Sequence, residues 1–201
     1  MFELGEEIQQ DLISSISNEE LAEAVKELEL DEIVDILQNL PEERMKKILS
    51  GMSQIDRKRI EVGLTFPENT AGGLLNTDVI SVRPENSIEV VTTYLRGQKK
   101  LPENTDKIFV VNNENEYLGE LTISNIITSN PSMVVREIME TSSMPLNVNM
   151  VDKDVATTFE RNDLISSAVV DDNGKLIGRI TIDDVLDCLL YTSDAADDQL
   201  G

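Results

Sequence analysis

Residues 108–127 read IFVVNNENEYLGELTISNII, and residues 167–186 read SAVVDDNGKLIGRITIDDVL. The two stretches superpose without a gap at one constant offset, which places Gly119 on Gly178. The strand-forming valines and a threonine before the last helix fall on one another as well. An internal repeat of this length predicts paired structural units that bury a shared core.

Each copy of the repeat predicts the order β-α-β-β-α. The strands of the first copy are predicted at TDVISVRP (77–84), KIFVVNN (107–113) and EYLGELTI (116–123), and the helices at SIEVVTTYLRG (87–97) and SNIIT (124–128). Upstream, VVTTY (90–94) matches VATTF (155–159) at a larger offset, which places Val90 on Val155. The first copy therefore carries about six extra residues around KKLPENT (99–105).

The first seventy residues have the pattern of short stacked helices. Ser17 or Asn18 is a suitable N-cap for the first of them, and Pro41 is a favoured first helical residue for a later one. Apolar residues recur on one face of each predicted helix; they include Leu21, Val25, Leu28, Ile33, Leu37, Leu40, Ile55 and Ile60. This pattern predicts a small all-α superhelical domain.

The charge balance is strongly acidic, with 17 basic and 39 acidic residues and a net charge of −22. Such a polyanion should be repelled by nucleic acid and should attract cations, although an excess of acid also serves solubility alone. Histidine is absent and Cys188 is the single cysteine, which excludes Ser-His and Cys-His nucleophile pairs and internal disulfides. With no apolar run of membrane-spanning length, we expect a soluble cytosolic chain, which is compatible with its being cut from a larger membrane protein.

The two copies differ most at the start of their last helix. The second copy has three acids there, Asp183, Asp184 and Asp187, where the first copy has none. One interpretation is that Asp183 or Asp184 only caps the helix. The other is that this copy holds a divalent cation, because carboxylate oxygens are the ligands of hard cations.

A tandem β-α-β-β-α pair with VVD…G…GxxTxDD resembles a pair of CBS domains. The resemblance covers about residues 74–190 and implies binding of adenine nucleotides such as ATP or AMP. Thr181 and Asp184 fit the family's phosphate and ribose motif, and Thr122 with Asn125 is a weaker version of it.

The stretch ENTAGGLLNTDVISV (68–82) resembles the junction of MgtE-type magnesium channels. In that family a helical acidic domain leads through this junction into two CBS domains, and a further helix leads to a membrane pore. The helical domain and a CBS homodimer close around Mg²⁺ and shut the pore. The resemblance therefore implies Mg²⁺ as the ligand, other divalent cations being open, and a full-length protein in the bacterial inner membrane with this region on its cytoplasmic side.

The resemblance also implies which residues hold the ion. The implied ligands are Asp31, Glu32, Asp35, the carbonyl of Gly73, a carbonyl near Glu160, and Asp163, Asp183, Asp184 and Asp187. Asp31 and Asp35 are four residues apart and Asp184 and Asp187 three apart, so each pair lies on one helix face.

Three features depart from the family pattern. The first helices of the family's N domain are largely missing before Met1, and Ala168 replaces a proline. After Leu190 the family continues in an acidic helix, but the sequence YTSDAADDQLG (191–201) has Thr192 and Ala195 where acids are expected.

The sequence thus predicts an α+β protein with an all-α superhelical N-terminal domain and a tandem CBS pair. The predicted segments are the helical acidic domain (1–70), the first CBS domain (71–135), the second (136–190) and a truncated or non-native tail (191–201). The predicted function is Mg²⁺ sensing for a magnesium channel, by a homodimer that is not an enzyme and binds no nucleic acid. The alternatives are an adenine-nucleotide-sensing CBS module of another protein and, more distantly, a two-metal hydrolase.

Overall fold

The structure is a computed structural model that describes residues 16–24, 28, 33–34, 36–37, 40–67 and 69–188. The chain divides into two compact units, Met1–Phe66 and Pro67–Gly201. No helix among these described residues is long and apolar enough to cross a membrane. The mixed helix and sheet architecture confirms the predicted α+β class.

The first unit is helical wherever the structure describes its secondary structure as regular. Its helices are α1 (Asn18–Ala24), α2 (Glu42–Gly51) and α3 (Gln54–Gly63), and residues 33–34 and 36–37 are also helical. The predicted N-cap of α1 is Ser17, whose hydroxyl oxygen accepts a hydrogen bond from the backbone N–H of Glu20 at 3.2 Å. The Glu20 carboxylate accepts one from the Ser17 backbone N–H at 3.1 Å, which completes a capping box.

Pro41 precedes α2 as its N-cap, with φ of −56° and ψ of 138°, and is not the first helical residue as predicted. The extended ψ excludes it from the helix, which begins one residue later. The predicted inward residues do form a core; its buried members are Leu21, Ile33, Val34, Leu37, Ile48, Leu49 and Ile60. Leu28 and Leu40 pack against this core, whereas Val25 and the side chain of Ile55 lie outside the described part.

The second unit contains both copies of the repeat, each in the predicted order β-α-β-β-α. The first copy consists of β1 (Ser81–Val82), α4 (Ile88–Gly97), β2 (Lys107–Val111), β3 (Tyr117–Thr122) and α5 (Ile123–Thr128). A 3₁₀ helix (Val135–Glu137) follows it. The second copy consists of β4 (Leu146–Asn147), α6 (Asp152–Asn162), β5 (Ser166–Val170), β6 (Leu176–Thr181) and the helix α7 at 182–188.

Each copy builds one three-stranded sheet, and the registers of the two hairpins are equivalent. The first strand pairs in parallel with the second, and the second pairs antiparallel with the third. Val110 faces Gly119 across one hairpin and Val169 faces Gly178 across the other, which confirms the constant offset between the two hairpin sequences. The first strand of each copy is only two residues long, which in the first copy is much shorter than the predicted TDVISVRP (77–84).

The helices α4 and α6 correct the upstream alignment by one position. Ile88 is the first residue of α4 and Asp152 that of α6, so the start of each helix places Val91, and not Val90, on Val155. In keeping with this, Val91 and Val155 are both buried, whereas Val90 is exposed. The first copy therefore carries about five extra residues instead of six, and these lie in the insertion loop, which we define as residues 98–105.

The segment that precedes each copy pairs with the other copy. Ala71 donates its backbone N–H to the carbonyl of Met150 in the second copy, at 2.7 Å. The equivalent bond joins Val135 to the carbonyl of Asn86 in the first copy, at 2.9 Å. Each repeat is thus completed by the segment that leads into the other one.

Two glycines allow this exchange because a β-carbon at either position would collide with backbone. At Gly119, where φ is +156°, a Cβ would overlap the carbonyl oxygen of Glu140. At Gly178 it would lie 2.6 Å from the carbonyl oxygen of Asn76 and would overlap Leu75. The pairing of Gly119 with Gly178 in the sequence repeat therefore marks two equivalent close approaches of chain segments.

The hairpin ends of the two sheets also pair with each other. Tyr117 donates to the carbonyl of Gly174 and Leu176 donates to the carbonyl of Asn115, both at 2.9 Å. Beneath this junction a shared apolar cluster contains Phe109, Val111, Ala168 and Leu176 from both copies. This is the shared core that the internal repeat predicts.

Candidate functional site

The acidic start of α7 follows directly from the end of β6. Thr181, the last residue of β6, donates two hydrogen bonds to one carboxylate oxygen of Asp184: the backbone N–H at 2.6 Å and the hydroxyl at 2.9 Å. Both residues are buried, with 3% of Thr181 and 8% of Asp184 exposed. The carboxylate of Asp184 is therefore turned back onto the strand end.

At the equivalent position in the first copy, the threonine acts as a hydrogen-bond acceptor. There the hydroxyl oxygen of Thr122 accepts a hydrogen bond from the backbone N–H of Asn125 at 3.2 Å, as an ordinary helix N-cap. In the second copy the threonine is the donor, and the side chain three residues later is the acceptor. The acid at the position of Asn125 thus gives the threonine hydroxyl a buried carboxylate to which it donates.

The other two acids of α7 are exposed. Asp183 accepts a hydrogen bond from the side-chain amide of Asn104 in the insertion loop. Cys188, the neighbour of Asp187, contacts the carboxylate of Asp152 at 3.6 Å, so the end of α7 lies beside the start of α6. The three acids are therefore in different surroundings, and two of them face solvent.

Glu160 and Asp163 lie at the far end of α6. Glu160 is exposed in the last turn, and Asp163 is the C-cap in the left-handed conformation, with φ of 49° and ψ of 45°. Asp163 is two residues from Ile165, whose carbonyl accepts from the backbone N–H of Ile182 at 2.9 Å. The start of α7 and the end of α6 are thus neighbours at one end of the second sheet.

Gly73 lies at the other end of α6. Its backbone N–H donates to the carbonyl of Thr70 at 2.9 Å and closes a turn that contains Ala71. Ala71 is hydrogen-bonded to Met150, two residues before α6 begins. The predicted ligands of the CBS unit are thus divided between two ends of α6. Asp31, Glu32 and Asp35 lie outside the described residues.

Within the described ranges, no three aspartate, glutamate or cysteine side chains converge as a ready-made cation site. The carboxylates of Asp163, Asp183 and Asp187 still offer exposed hard oxygen ligands of the kind that Mg²⁺ takes, often through retained waters. The chemistry of these oxygens therefore suits Mg²⁺, while the three side chains do not converge on one position.

Two residues near this site carry no sequence signal of their own. Arg179 is 4% exposed and donates to backbone carbonyls of the insertion loop, and Asn104 contacts Asp183. The unequal spacing of the two copies is the feature that could have directed attention to the loop.

Comparison with protein-family models identifies both parts of the chain. Residues 71–130 and 135–191 each match the CBS domain, and residues 2–69 match the MgtE intracellular N domain. The chain therefore belongs to the CBS-domain family, as a tandem pair. With the preceding N domain it is, more particularly, of the MgtE type.

Relatives and solved structures agree with this assignment. The magnesium transporter MgtE of Thermus thermophilus is 30% identical over 166 residues, which are 80% of this chain and 36% of the relative. That of Bacillus subtilis is 22% identical over 192 residues, which are 96% of this chain and 43% of the relative. The crystal structure of the cytosolic domain of the Mg²⁺ channel MgtE in complex with ATP is 28% identical, has a TM-score of 0.85, and is matched over 92% of this chain and 76% of its own. The chain spans less than half the length of these two transporters.

Proposed function

We propose that the chain is the cytosolic Mg²⁺-sensing region of a magnesium transporter, which closes around Mg²⁺ to gate a membrane pore. The observation that carries the proposal is the order of its parts, an MgtE intracellular N domain followed at once by a CBS pair. The likeness to the cytosolic domain of a Mg²⁺ channel, at a TM-score of 0.85, supports it. The pore itself, and a place on the cytoplasmic side of a bacterial inner membrane, belong to this proposal.

The net charge of −22 supplies the physical mechanism. Two carboxylates at about 4 Å repel each other by about 1 kcal/mol in water and about 4 kcal/mol at a protein surface. A dication between them reverses the sign of this interaction, so that closure depends on free Mg²⁺. We assign two sets of acids to this response: Asp31, Glu32 and Asp35 of the N domain, and Asp163, Asp183 and Asp187 of the second CBS copy.

A Mg²⁺ titration followed by thermal unfolding tests the proposal. At a Mg²⁺ concentration about 100 times the Kd, a single site adds about 2.7 kcal/mol to the free energy of unfolding. The double variant Asp183→Asn/Asp187→Asn should lose most of this gain, and Asp35→Ala should do the same. Asp154→Asn is the matched control, because Asp154 is an equally exposed acid in the first turn of α6.

Small-angle scattering on the same samples tests closure. Saturating Mg²⁺ should reduce the radius of gyration of the wild-type chain and leave that of the double variant unchanged. Scattering profiles that are identical with chelator and with millimolar Mg²⁺ would overturn the proposal.

The apolar surface of the CBS unit supports a homodimer. Ile127 on α5 is 76% exposed and Leu186 on α7 is 50% exposed, and these residues occupy equivalent positions in the two copies. Val90 and Tyr94 on α4 are also exposed. We expect a dimer in analytical ultracentrifugation, which Ile127→Glu should dissociate. Met144→Glu, at an exposed methionine between the copies, should leave the dimer intact.

Nucleotide binding is the second candidate function, and the Thr181–Asp184 pair favours it. A related structure was solved in complex with ATP, and this pair is the part of the chain that fits the CBS nucleotide motif. Calorimetric titration with ATP and AMP in the absence of Mg²⁺ tests it. Thr181→Val should abolish binding at this motif, whereas Thr157→Val, at a threonine bonded within α6, should not.

We infer that the region binds and switches and does not catalyse. The chain has no histidine, and no nucleophile with an adjacent base stands out in its sequence. Turnover of phosphate esters by the Mg²⁺-loaded protein would contradict this inference and support the alternative of a two-metal hydrolase.

A further inference from the structure

The insertion loop of the first copy contacts the second copy through one buried guanidinium. Arg179, in the middle of β6, donates to the carbonyl of Glu103 at 2.6 Å and to that of Asn104 at 3.4 Å. It also donates to the carbonyl of Asp78 at 3.1 Å. Arginine suits this position because its planar group directs several donors at fixed angles, and because it cannot lose its charge when buried.

The backbone of β6 fixes the place of Arg179. Its own N–H and carbonyl exchange hydrogen bonds with Asn76, at 2.8 and 2.9 Å. Because this bridge and the strand pairing of β6 both hold the backbone of Arg179, its guanidinium is a fixed attachment point for the loop.

The loop in turn has the geometry to present Asn104. Asn104 has a φ of +52°, a conformation that asparagine tolerates better than most residues. The Thr105 hydroxyl bonds to the carbonyl of Pro102 at 2.5 Å and tightens the turn. From this turn the Asn104 amide donates to the carboxylate of Asp183.

The first copy has no counterpart of this arrangement. At the position of Arg179 it has Glu120, whose carboxylate cannot donate to carbonyls, and at the position of Asp183 it has Ser124. In the second copy the chain passes from α6 to β5 through the single C-cap turn at Asp163. The contact between the loop and the last helix therefore serves only the acidic copy.

We propose that Arg179 is a positioning residue for the acidic start of α7: by holding the insertion loop it places the amide of Asn104 on Asp183. This fixes one carboxylate of the cation-binding surface before the ion arrives. The inference rests on the proposed function, because it gives Asp183 a role toward Mg²⁺. Fixing a ligand in advance raises metal affinity, as hydrogen bonds to metal ligands do generally.

Hydrogen exchange in chelator tests the contact without any ion. Asn104→Ala and Arg179→Lys should each speed the exchange of the amides at 182–188 about tenfold, because a hydrogen bond to a charged group is lost. Asn113→Ala, at an exposed asparagine of the β2–β3 hairpin, is the matched control and should leave α7 unchanged. If Arg179→Lys fails to fold, Asn104→Ala decides alone, since Asn104 is exposed. Unchanged exchange of α7 in folded Asn104→Ala would overturn the proposal.

A Mg²⁺ titration of the same variants tests the role toward the ion. Asn104→Ala should weaken the apparent Kd about tenfold, and Asn113→Ala should not change it. Equal or tighter binding by Asn104→Ala would overturn positioning. A third outcome separates the two proposals: the wild-type chain does not bind Mg²⁺, but Asn104→Ala still speeds hydrogen exchange of α7. This result would overturn the Mg²⁺-sensing function and the role of Asp183 in it, but not the contact between Asn104 and Asp183.

Discussion

The two CBS repeats share a backbone and differ in the charges that they place on it. Their hairpins have equivalent registers, and each sheet receives the segment that leads into the other. At equivalent positions, however, Lys107 and Glu120 of the first copy correspond to Ser166 and Arg179 of the second. Glycines and apolar residues therefore maintain the common fold, and polar substitutions on it give each copy its own chemistry.

The charge partners show the same division. In the first copy the charges neutralise each other, since Lys107 lies 3.0 Å from the Glu120 carboxylate and both side chains are 9% exposed. In the second copy the buried guanidinium of Arg179 donates to backbone carbonyls, and the acids lie at the start of α7. The buried charges of the first copy thus form an ion pair with each other, whereas the second copy has exposed carboxylates at the start of α7.

The largest expected effect comes from breaking the ion pair of the first copy. Lys107→Met should lower the free energy of unfolding by about 4 kcal/mol, because Glu120 is left buried without its partner. Urea unfolding followed by circular dichroism measures this. The double variant Lys107→Met/Glu120→Leu should recover most of the loss, and an equal loss in single and double variants would contradict the pairing.

The two glycines should give the next largest effect, and an unequal one. Gly119→Ala should cost about 3 kcal/mol, because the new Cβ meets a backbone carbonyl and φ is positive. Gly178→Ala should cost about 2 kcal/mol, since the side chain of Leu75 can move and part of the overlap is relieved. The difference in urea midpoint between the variants measures the asymmetry; a larger loss for Gly178→Ala would contradict it.

The threonines before the last helices should respond more weakly. Thr181→Val removes a hydrogen bond to the buried carboxylate of Asp184 and should cost about 2 kcal/mol. Thr122→Val removes an N-cap and should cost about 1 kcal/mol. Thermal unfolding of both variants compares them, and equal losses would show that the charge on Asp184 adds nothing.

The smallest effect concerns Tyr117, whose equivalent in the second copy is Leu176. Burial, with Glu120 and Glu140 nearby, raises the pKa of the Tyr117 phenol to about 12. The neutral phenol is favoured in the folded state, so its contribution to stability is complete below pH 10 and is lost as the pH rises toward 12. Phenolate absorbance should include a late-titrating component, and Tyr117→Phe should remove it.

Most of the fold was predictable because the repeat is visible in the sequence. The hairpin strands, the order of elements and the constant offset of the two hairpins are confirmed. The upstream match was wrong by one position because Val90 and Val91 are adjacent and identical, so apolar pattern alone could not say which faces inward. Their burial in the structure decides it: Val91 is 1% exposed, whereas Val90 is 54% exposed.

The acids of the candidate site are visible in the sequence, but their arrangement is not. The sequence indicates three acids at the start of α7, and the CBS resemblance pairs Asp184 with Thr181. The structure adds that Thr181 and Asp184 are buried and hydrogen-bonded to each other, and that Asn104 reaches Asp183 from the other copy, 79 positions away. Contacts between residues so distant in the chain leave no periodic pattern to read. The ligand roles of these residues stay predictions.

The exchange of lead-in segments has a consequence for synthesis on the ribosome. Asn76 pairs with Arg179, so the opening part of the CBS unit finds its final neighbour only near the end of translation of that unit. Until then, the lead-in segment that contains Ala71 and Asn76 emerges without its native partner, and unpaired backbone of this kind invites association with other nascent chains. Docking of the lead-in segment must therefore wait for β6, the last strand of the unit.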